Sequence, residues 1–266
     1  MASFVTVQKK KEYAIVTLNR GPVNALNLKF WKDLQAALDE VQSDKAMRAL
    51  IFQSGLEKDI FTAGNDLTEL YAPLTSLEKY TEFWTTQNVF LGNLYASRLV
   101  TVSVIRGACP AGGCAISMCC DYRIMSKDIG HIGLNEPQIG LTVPVVWMEL
   151  FTKIVGHRQA ELLGFNGSVV GPAEAKRIGL VDLLVPKEEL LPTAEAVVSQ
   201  FLKVPSFGRS LTKQVVHKDL ADKFRNRKML KDQSDAGWQF LTAEPTLKVM
   251  KATMDRLAGN SKASKL

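Results

Sequence analysis

The sequence predicts an α/β protein in which a buried parallel sheet is followed by a helical C-terminal region. Segments rich in β-branched residues, such as 13–19, 48–54 and 99–105, alternate with helical patterns at intervals of roughly 35–50 residues. Segment 99–105 also lacks charged residues, which is typical of a strand buried on both faces. Helical patterns dominate the second half of the chain. We therefore predict an α/β core over residues 1–203 and a helical region over residues 204–266.

The helices are predicted from apolar side chains at helical spacing. Asn27 is expected to cap the first helix, since its side chain can accept a hydrogen bond from a free N–H group of the first turn. The apolar face of that helix consists of Leu28, Trp31, Leu34, Ala37, Leu38 and Val41. Thr75 or Ser76 begins a second helix that ends near residue 96. After the central strand we expect a short helix at 114–120, strands at 121–126 and 180–185, and helices at 147–155, 157–165, 172–178, 188–202, 211–222, 224–241 and 245–257.

Composition limits the class of protein. The chain has 266 residues, of which 46% are hydrophobic and 23% charged, and this fits one large domain or one domain with a helical appendage. No apolar run reaches the roughly 18 residues that a membrane-spanning helix needs. The N-terminal residues lack the apolar segment of a secretory signal, so we expect none.

Cysteine and histidine usage predicts no metal site. The cysteines Cys109, Cys114, Cys119 and Cys120 contain no C-x-x-C pair, and we interpret them as small buried residues in a reducing compartment. The three histidines are scattered and lack the spacing of metal ligands.

The net charge of +6 indicates an affinity for anions, and much of the excess lies in the last third of the chain. The basic residues there are Lys213, Lys218, Lys223, Arg225, Arg227, Lys228 and Lys231. They could meet phosphates, but a solvated helix face is the favoured interpretation. No arginine-rich segment is interleaved with aromatic residues, so we predict no nucleic-acid partner.

The last three residues, Ser264-Lys265-Leu266, match the C-terminal address that a peroxisomal import receptor reads. We therefore predict a peroxisomal location, with that receptor as a partner.

Two turns of small residues are candidates for binding negative charge. Residues 107–113 (Gly-Ala-Cys-Pro-Ala-Gly-Gly) follow the central strand, and residues 62–64 (Thr-Ala-Gly) precede a helical pattern. Such turns leave the first N–H groups of the next helix without internal partners, and these groups suit a developing negative charge. Asp66 is expected to cap the helix that follows the second turn.

Glu136 is the candidate acid/base. It is the only acidic residue between Asp128 and Glu149, and its neighbours along the chain are mostly apolar. A carboxylate in such surroundings would be partly desolvated, which raises its pKa and makes it a better base near neutral pH. The alternative is a loop glutamate that points to water, and periodicity alone does not decide between the two.

The motifs together resemble the crotonase, or enoyl-CoA hydratase/isomerase, superfamily over almost the whole chain. They lie at 61–69, 107–115, 120–123, 133–140 and 172–182. The resemblance implies a spiral of ββα units, a helical C-terminal region that forms a homotrimer or a dimer of trimers, and acyl-CoA thioesters as substrates. It also implies an oxyanion hole formed by the backbone N–H groups of Asn65 and Gly112. The residues expected near the substrate are Ala63, Gly64, Asn65, Asp66 and Leu67, with Pro22 and Val23 beside them. Asn135 is expected to orient the base, to contact the acyl chain or to serve only as a turn residue.

The number of carboxylates selects a branch of this superfamily. Hydratases look to need two glutamates, and the first of the two positions is occupied here by Ala115, which leaves Glu136. One base can move a proton from C2 to C4 and so shift a double bond without water. The sequence therefore resembles the Δ3,Δ2-enoyl-CoA isomerases of the mitochondrial type, which implies a role in β-oxidation of unsaturated fatty acids. No separate cofactor is expected, because coenzyme A is part of the substrate.

Several alternatives stay open at this point. A dienoyl-CoA isomerase or an enoyl-CoA hydratase would need another acidic group that reaches the cleft. Acyl-CoA hydrolysis is more distant, although the same oxyanion hole could serve it. An RNA-binding protein or a non-catalytic CoA-binding protein on the same fold is the alternative from outside the enzymes.

Overall fold

The computed structural model describes residues 3–263, and side chains are described for residues 3–259. The strands are β1 (Val5–Lys9), β2 (Tyr13–Leu18), β3 (Ala49–Ser54), β4 (Val100–Ile105), β5 (Cys109–Pro110), β6 (Tyr122–Ser126), β7 (Ile132–Gly133) and β8 (Leu183–Val185). The α-helices are α1 (Leu28–Ser43), α2 (Leu77–Tyr95), α3 (Gly112–Met118), α4 (Val145–Val155), α5 (His157–Asn166), α6 (Pro172–Arg177), α7 (Leu190–Leu202), α8 (Ser206–Arg225), α9 (Arg227–Leu241) and α10 (Glu244–Ala263). Short 3-10 turns lie at Leu67–Glu69, Ala72–Leu74, Glu136–Ile139 and Lys187–Glu189.

The main sheet has the strand order β1-β2-β3-β4-β6-β8. Only β1 and β2 pair antiparallel, and every other neighbouring pair is parallel. All six residues of β4 are buried, because the strand lies in the middle of the sheet with other elements on both faces. The prediction of a buried parallel sheet is thus confirmed.

A second layer of short pairings lies beside the ends of these strands. Strands β5 and β7 pair in parallel, and single bridges join Leu26 to Asn65 and Ile60 to Ala108. Successive turns of the chain therefore contribute a long strand to the main sheet and a short segment to the second layer. This is the spiral of ββα units that the resemblance implies, and it brings together loops that are far apart in sequence.

The helical C-terminal region is also confirmed. Helices α8 and α9 pack against α2, and α10 packs on the 3-10 turn at Glu136–Ile139. The predicted division at residue 203 falls in the link between α7 and α8.

Several helix starts differ from the prediction, by two to five residues. Helix α3 begins at Gly112 instead of residue 114, and α8 begins at Ser206 instead of Leu211. Pro205 precedes α8, and the extra turn carries Phe207, which is 78% exposed. Because the side chain of Phe207 does not face the core, this turn lacks the regular spacing of core-facing apolar residues from which the other helices were predicted. Asn27 caps α1 as predicted, because its Oδ1 accepts a hydrogen bond of 2.9 Å from Phe30 N.

The basic residues of the last third mostly meet carboxylates. Lys213 is buried and lies 2.8 Å from Asp121, while Lys218 pairs with Asp222 on its own helix. These ion pairs favour the interpretation as structural and solvated positions over that of a phosphate-binding surface.

The four cysteines are buried and unbridged. Burial raises the pKa of Cys109 to about 12. Within residues 3–263, no cluster of three His, Cys, Asp or Glu side chains could hold a metal ion. None of the described helices combines the length and the apolar composition needed to span a membrane.

Candidate active site

Glu136 is buried at the first position of a 3-10 turn that follows β7. Glu136 is 6% exposed, and neither of its carboxylate oxygens has a hydrogen-bond partner in the part of the chain that the structure describes. Burial raises the pKa of the carboxyl to about 7. The tertiary structure therefore decides between the two interpretations of this residue: the side chain is desolvated and does not point to water.

Glu136 lies in the wall of a cavity of about 350 Å³. The lining residues are Asn65, Leu70, Tyr80, Trp84, Gln87, Glu136, Leu141, Thr142, Val143, Pro144, Val145, Trp147, Gln233, Ala236, Gly237, Phe240 and Leu241. Glu136 is the one carboxylate in this set, and most of the other side chains are apolar or aromatic. The cavity can therefore take an apolar chain and present a single proton acceptor to it.

The two small-residue turns lie against each other beside this cavity. A Cβ atom added to Gly64 would lie 3.6 Å from Gly112 N, and the positive φ of 85° at Gly64 is one that glycine adopts without strain. The backbone N–H groups of Asn65 and Gly112 have no acceptor among the described residues. Two free donors are thus available on adjacent turns, and an oxyanion hole is built from donors of this kind.

The side chain of Asn65 bonds to two residues, Trp31 and Gln87, that the sequence analysis did not assign to the site. Its Oδ1 accepts a hydrogen bond of 3.2 Å from Trp31 Nε1, and its Nδ2 donates to Gln87 Oε1 over 2.9 Å. Gln87 is 1% exposed and lies on the face of α2 that also buries Phe83 and Phe90. A glutamine at an apolar helical spacing is the signal in the sequence that could have identified it.

The residues expected near coenzyme A are brought together at the outer side of the turns. Ala63 N donates to Val23 O over 2.9 Å, and both Ala63 and Pro22 are exposed. Asp66 caps the following 3-10 turn as predicted, since its Oδ1 accepts from Thr68 N over 3.2 Å.

A further partner of Asp66 was not anticipated. The Asp66 carboxylate lies 2.9 Å from Arg20 Nη1, and this ion pair joins the loop that contains Pro22 and Val23 to the loop over residues 63–67. The neighbouring Leu67 is half-buried.

Asn135 and Ala115 do not line the cavity. Asn135 is half-buried, its side chain makes no cap hydrogen bond, and its carbonyl accepts from Gln138 N over 3.1 Å. Its observed contacts are those of a turn residue. Ala115 is 1% exposed within α3, where no group of its side chain can move a proton.

Fold and site together define a class: an α/β spiral protein with one buried carboxylate in a cavity wall and two free backbone donors on the turns beside that cavity, equipped for acid/base chemistry on a bound ligand. The profile described as Enoyl-CoA hydratase/isomerase matches residues 8–237, and the chain belongs to that family. The family expected from the motifs is thus confirmed.

Known relatives are similar over most of this chain. Enoyl-CoA delta isomerase 1, mitochondrial, of Homo sapiens is 35% identical over 92% of this chain and 80% of that protein. The Mus musculus enzyme of the same name is 36% identical over 79% of this chain and 72% of its own length. The crystal structure of human mitochondrial delta3-delta2-enoyl-CoA isomerase superposes with a TM-score of 0.92 at 32% identity, over 97% of this chain and 99% of that one.

These relatives contradict the predicted peroxisomal location, since the human and mouse enzymes are mitochondrial by name. The prediction depended on Ser264-Lys265-Leu266 alone, which lie outside the described residues. A match of three residues at one end of a chain carries little information. The import receptor was expected on the same three residues and has no other support.

Proposed function

We propose that this protein is an isomerase that converts 3-enoyl-CoA, cis or trans, into trans-2-enoyl-CoA in β-oxidation of unsaturated fatty acids. The observation that carries the proposal is Glu136, the single carboxylate among the described residues that line the cavity, the others of which are uncharged. The sequence-based prediction of an enoyl-CoA isomerase is borne out by similarity to the human and mouse isomerases over most of their lengths. Their names also favour a mitochondrial location.

The proposed reaction is a proton transfer with no net change in composition. Glu136 removes a proton from C2 of 3-enoyl-CoA, and the electron pair of that C–H bond enters a dienolate whose negative charge lies partly on the thioester oxygen. The N–H groups of Asn65 and Gly112 would stabilise that oxygen. Protonated Glu136 then returns the proton to C4, and the double bond ends between C2 and C3.

The pKa of about 7 suits this double task. A base whose pKa lies near the working pH is substantially ionised before the reaction and still acidic enough to return the proton afterwards. Hydration is less well supported, because the described cavity wall offers no second carboxylate to activate water.

The remaining contacts are proposed on the same basis. Residues Ala63 to Leu67, with Pro22 and Val23, would border coenzyme A, and Asn135 would stabilise the turn that carries Glu136. No cofactor beyond the coenzyme A of the substrate is proposed.

The test is a pair of ultraviolet assays on the purified protein, which follow the absorbance of the conjugated 2-enoyl thioester. We expect the signal to rise with 3-enoyl-CoA and to stay constant with 2-enoyl-CoA. Glu136→Gln keeps the size of the side chain but removes the base, and we expect it to lower kcat about a thousandfold. Loss of signal from 2-enoyl-CoA would mean hydration and would contradict the proposal, as would a Glu136→Gln variant with near-normal kcat.

A further inference from the structure

The side chain of Asn65 belongs to a hydrogen-bonded series of three side chains that leads from the core to the cavity. Trp31 Nε1 donates to Asn65 Oδ1, and Asn65 Nδ2 donates to Gln87 Oε1. Trp31 is fully buried, whereas Gln87 lines the cavity and is 1% exposed. Gln87 Nε2 has no hydrogen-bond partner among the described residues. This hydrogen-bonded series therefore ends at Gln87, a residue of the cavity wall, in a buried donor without a partner.

Trp31 fixes which groups donate and which accept along this hydrogen-bonded series. An indole N–H can only donate, so Asn65 must turn its oxygen toward Trp31 and its NH2 group toward Gln87. Gln87 must then turn its own oxygen toward Asn65, which leaves the NH2 group of this cavity-lining side chain without a partner among the described residues. A tryptophan that does not itself line the cavity thus determines that the free polar group of Gln87 is a donor and not an acceptor.

These hydrogen-bonded side chains lie close to the residues that carry the two free backbone amides. A Cβ atom added to Gly112 would lie 3.0 Å from Asn65 Oδ1 and 3.3 Å from Trp31 Cζ2. The unpartnered Nε2 belongs to Gln87, whose side chain accepts a hydrogen bond from the side chain of Asn65. The backbone N–H of Asn65 is one of those two amides. No Lys, Arg or His is found among the described residues that line the cavity, so neutral donors have to stabilise any negative charge there.

We propose that Gln87 is a further residue of this active site, and that its Nε2–H group donates to the negative charge that develops on the enolate. Trp31 and the side chain of Asn65 have a positioning role, because they hold the amide of Gln87 in the required orientation. The inference rests on the isomerase function proposed above. A donor that acts on the enolate more strongly than on the neutral substrate raises kcat and leaves KM nearly unchanged.

The experiment uses a 3-ketoacyl-CoA as a probe, because it ionises to an enolate that absorbs in the ultraviolet. The apparent pKa of the bound probe is measured by titrating that absorbance on wild-type, Gln87→Leu and Trp31→Phe proteins. We expect Gln87→Leu to raise the apparent pKa of the probe by about one unit and to lower kcat about tenfold, with KM changed less than about twofold. Trp31→Phe should also raise the apparent pKa of the probe and lower kcat, but by less, since the side-chain amides of Asn65 and Gln87 can then rotate. If Gln87→Leu does not fold, Gln87→Met, which is unbranched, takes its place.

The matched control is Asn93→Leu. Asn93 Nδ2 donates to Gln35 Oε1 over 3.0 Å, which is an amide pair between the same two helices, α1 and α2, away from the cavity. Its loss should leave the apparent pKa of the probe and kcat unchanged. An active wild type whose probe pKa and kcat are not altered in the Gln87 variant would overturn the inference alone. A wild type that neither isomerises 3-enoyl-CoA nor ionises the probe would overturn the proposed function, and this inference with it.

Discussion

Burial of the Glu136 carboxyl in an apolar cavity raises its pKa to about 7, and this should be visible in the pH dependence of the reaction. The proposed first step needs the ionised form, which predominates only above that pH. We expect kcat/KM for 3-enoyl-CoA to fall about tenfold for each pH unit below about pH 7 and to level off above it. Initial rates across the pH range, with the stability of the protein checked at each pH, measure this. A profile that stays flat down to about pH 5 would contradict the assignment of Glu136.

The same carboxyl should reduce the stability of the fold when it is ionised. Its pKa is higher in the folded protein than the ordinary value of 4.5, so folding disfavours the charged form. The contribution of this carboxyl to stability is then greatest below about pH 4.5, falls as the pH rises toward about 7, and is constant above that. Glu136→Gln removes this cost, and we expect its free energy of unfolding to exceed that of the wild type by up to about 3 kcal/mol at about pH 8.

Urea unfolding at two pH values measures this effect. At about pH 4 both proteins carry an uncharged side chain at position 136, so the difference should nearly vanish. An equal difference at both pH values would show that packing, and not ionisation, separates the two proteins.

At the scale of elements, the 3-10 turn that carries Glu136 depends on the glycine that ends it. Gly140 has a φ of 74°, and a Cβ atom added there would lie 3.0 Å from Val249 Cγ1 on α10. Gly140→Ala should therefore strain the turn and push it against α10. We expect a loss of about 1–2 kcal/mol in the free energy of unfolding and a fall in kcat of about tenfold or more.

Gly156→Ala is the matched control for this substitution. Gly156 ends α4 with a φ of 82°, but nothing lies within 4 Å of the position of its Cβ. It should lower stability through backbone strain and leave kcat unchanged. If both variants lose kcat equally, the turn at Glu136–Ile139 has no special dependence on Gly140.

At the scale of the whole molecule, we propose a homotrimer. Helix α8 presents Phe207, Leu211 and Val215 at successive helical turns, with exposures of 78%, 44% and 80%. Apolar side chains in such a row are typical of a surface that another subunit covers. Light scattering after size-exclusion chromatography should give a mass of about three chains, in line with closed cyclic symmetry.

A charge in this row should weaken the assembly. We expect Phe207→Lys to shift the protein toward monomers, because the ammonium group would be desolvated at the interface. Leu257→Lys on α10 places the same charge on another exposed apolar position, 53% exposed, and should leave the mass unchanged. A wild type that is monomeric at micromolar concentration would contradict the trimer.

The sequence by itself determined much of the fold, because its signals are local. The uncharged β-branched run at 99–105 predicts the buried β4, and Asn27 predicts the start of α1, since both depend on neighbours along the chain. The motifs also identified the family, and the exchange of a second glutamate for Ala115 pointed to the isomerase branch. The C-terminal tripeptide shows the limit of such signals, because a short local match led to a location that the relatives contradict.

Only the tertiary structure decided what surrounds the reactive groups. Glu136 lies in a cavity whose wall also includes residues of α2, α4 and α9, and no pattern near residue 136 encodes the positions of those helices. Trp31, Asn65 and Gln87 lie on three segments far apart in sequence, and their hydrogen bonds arise only when the spiral lays those segments side by side. Burial, pKa and side-chain orientation depend on every group that packs against a residue, so they belong to the folded molecule and not to any stretch of its chain.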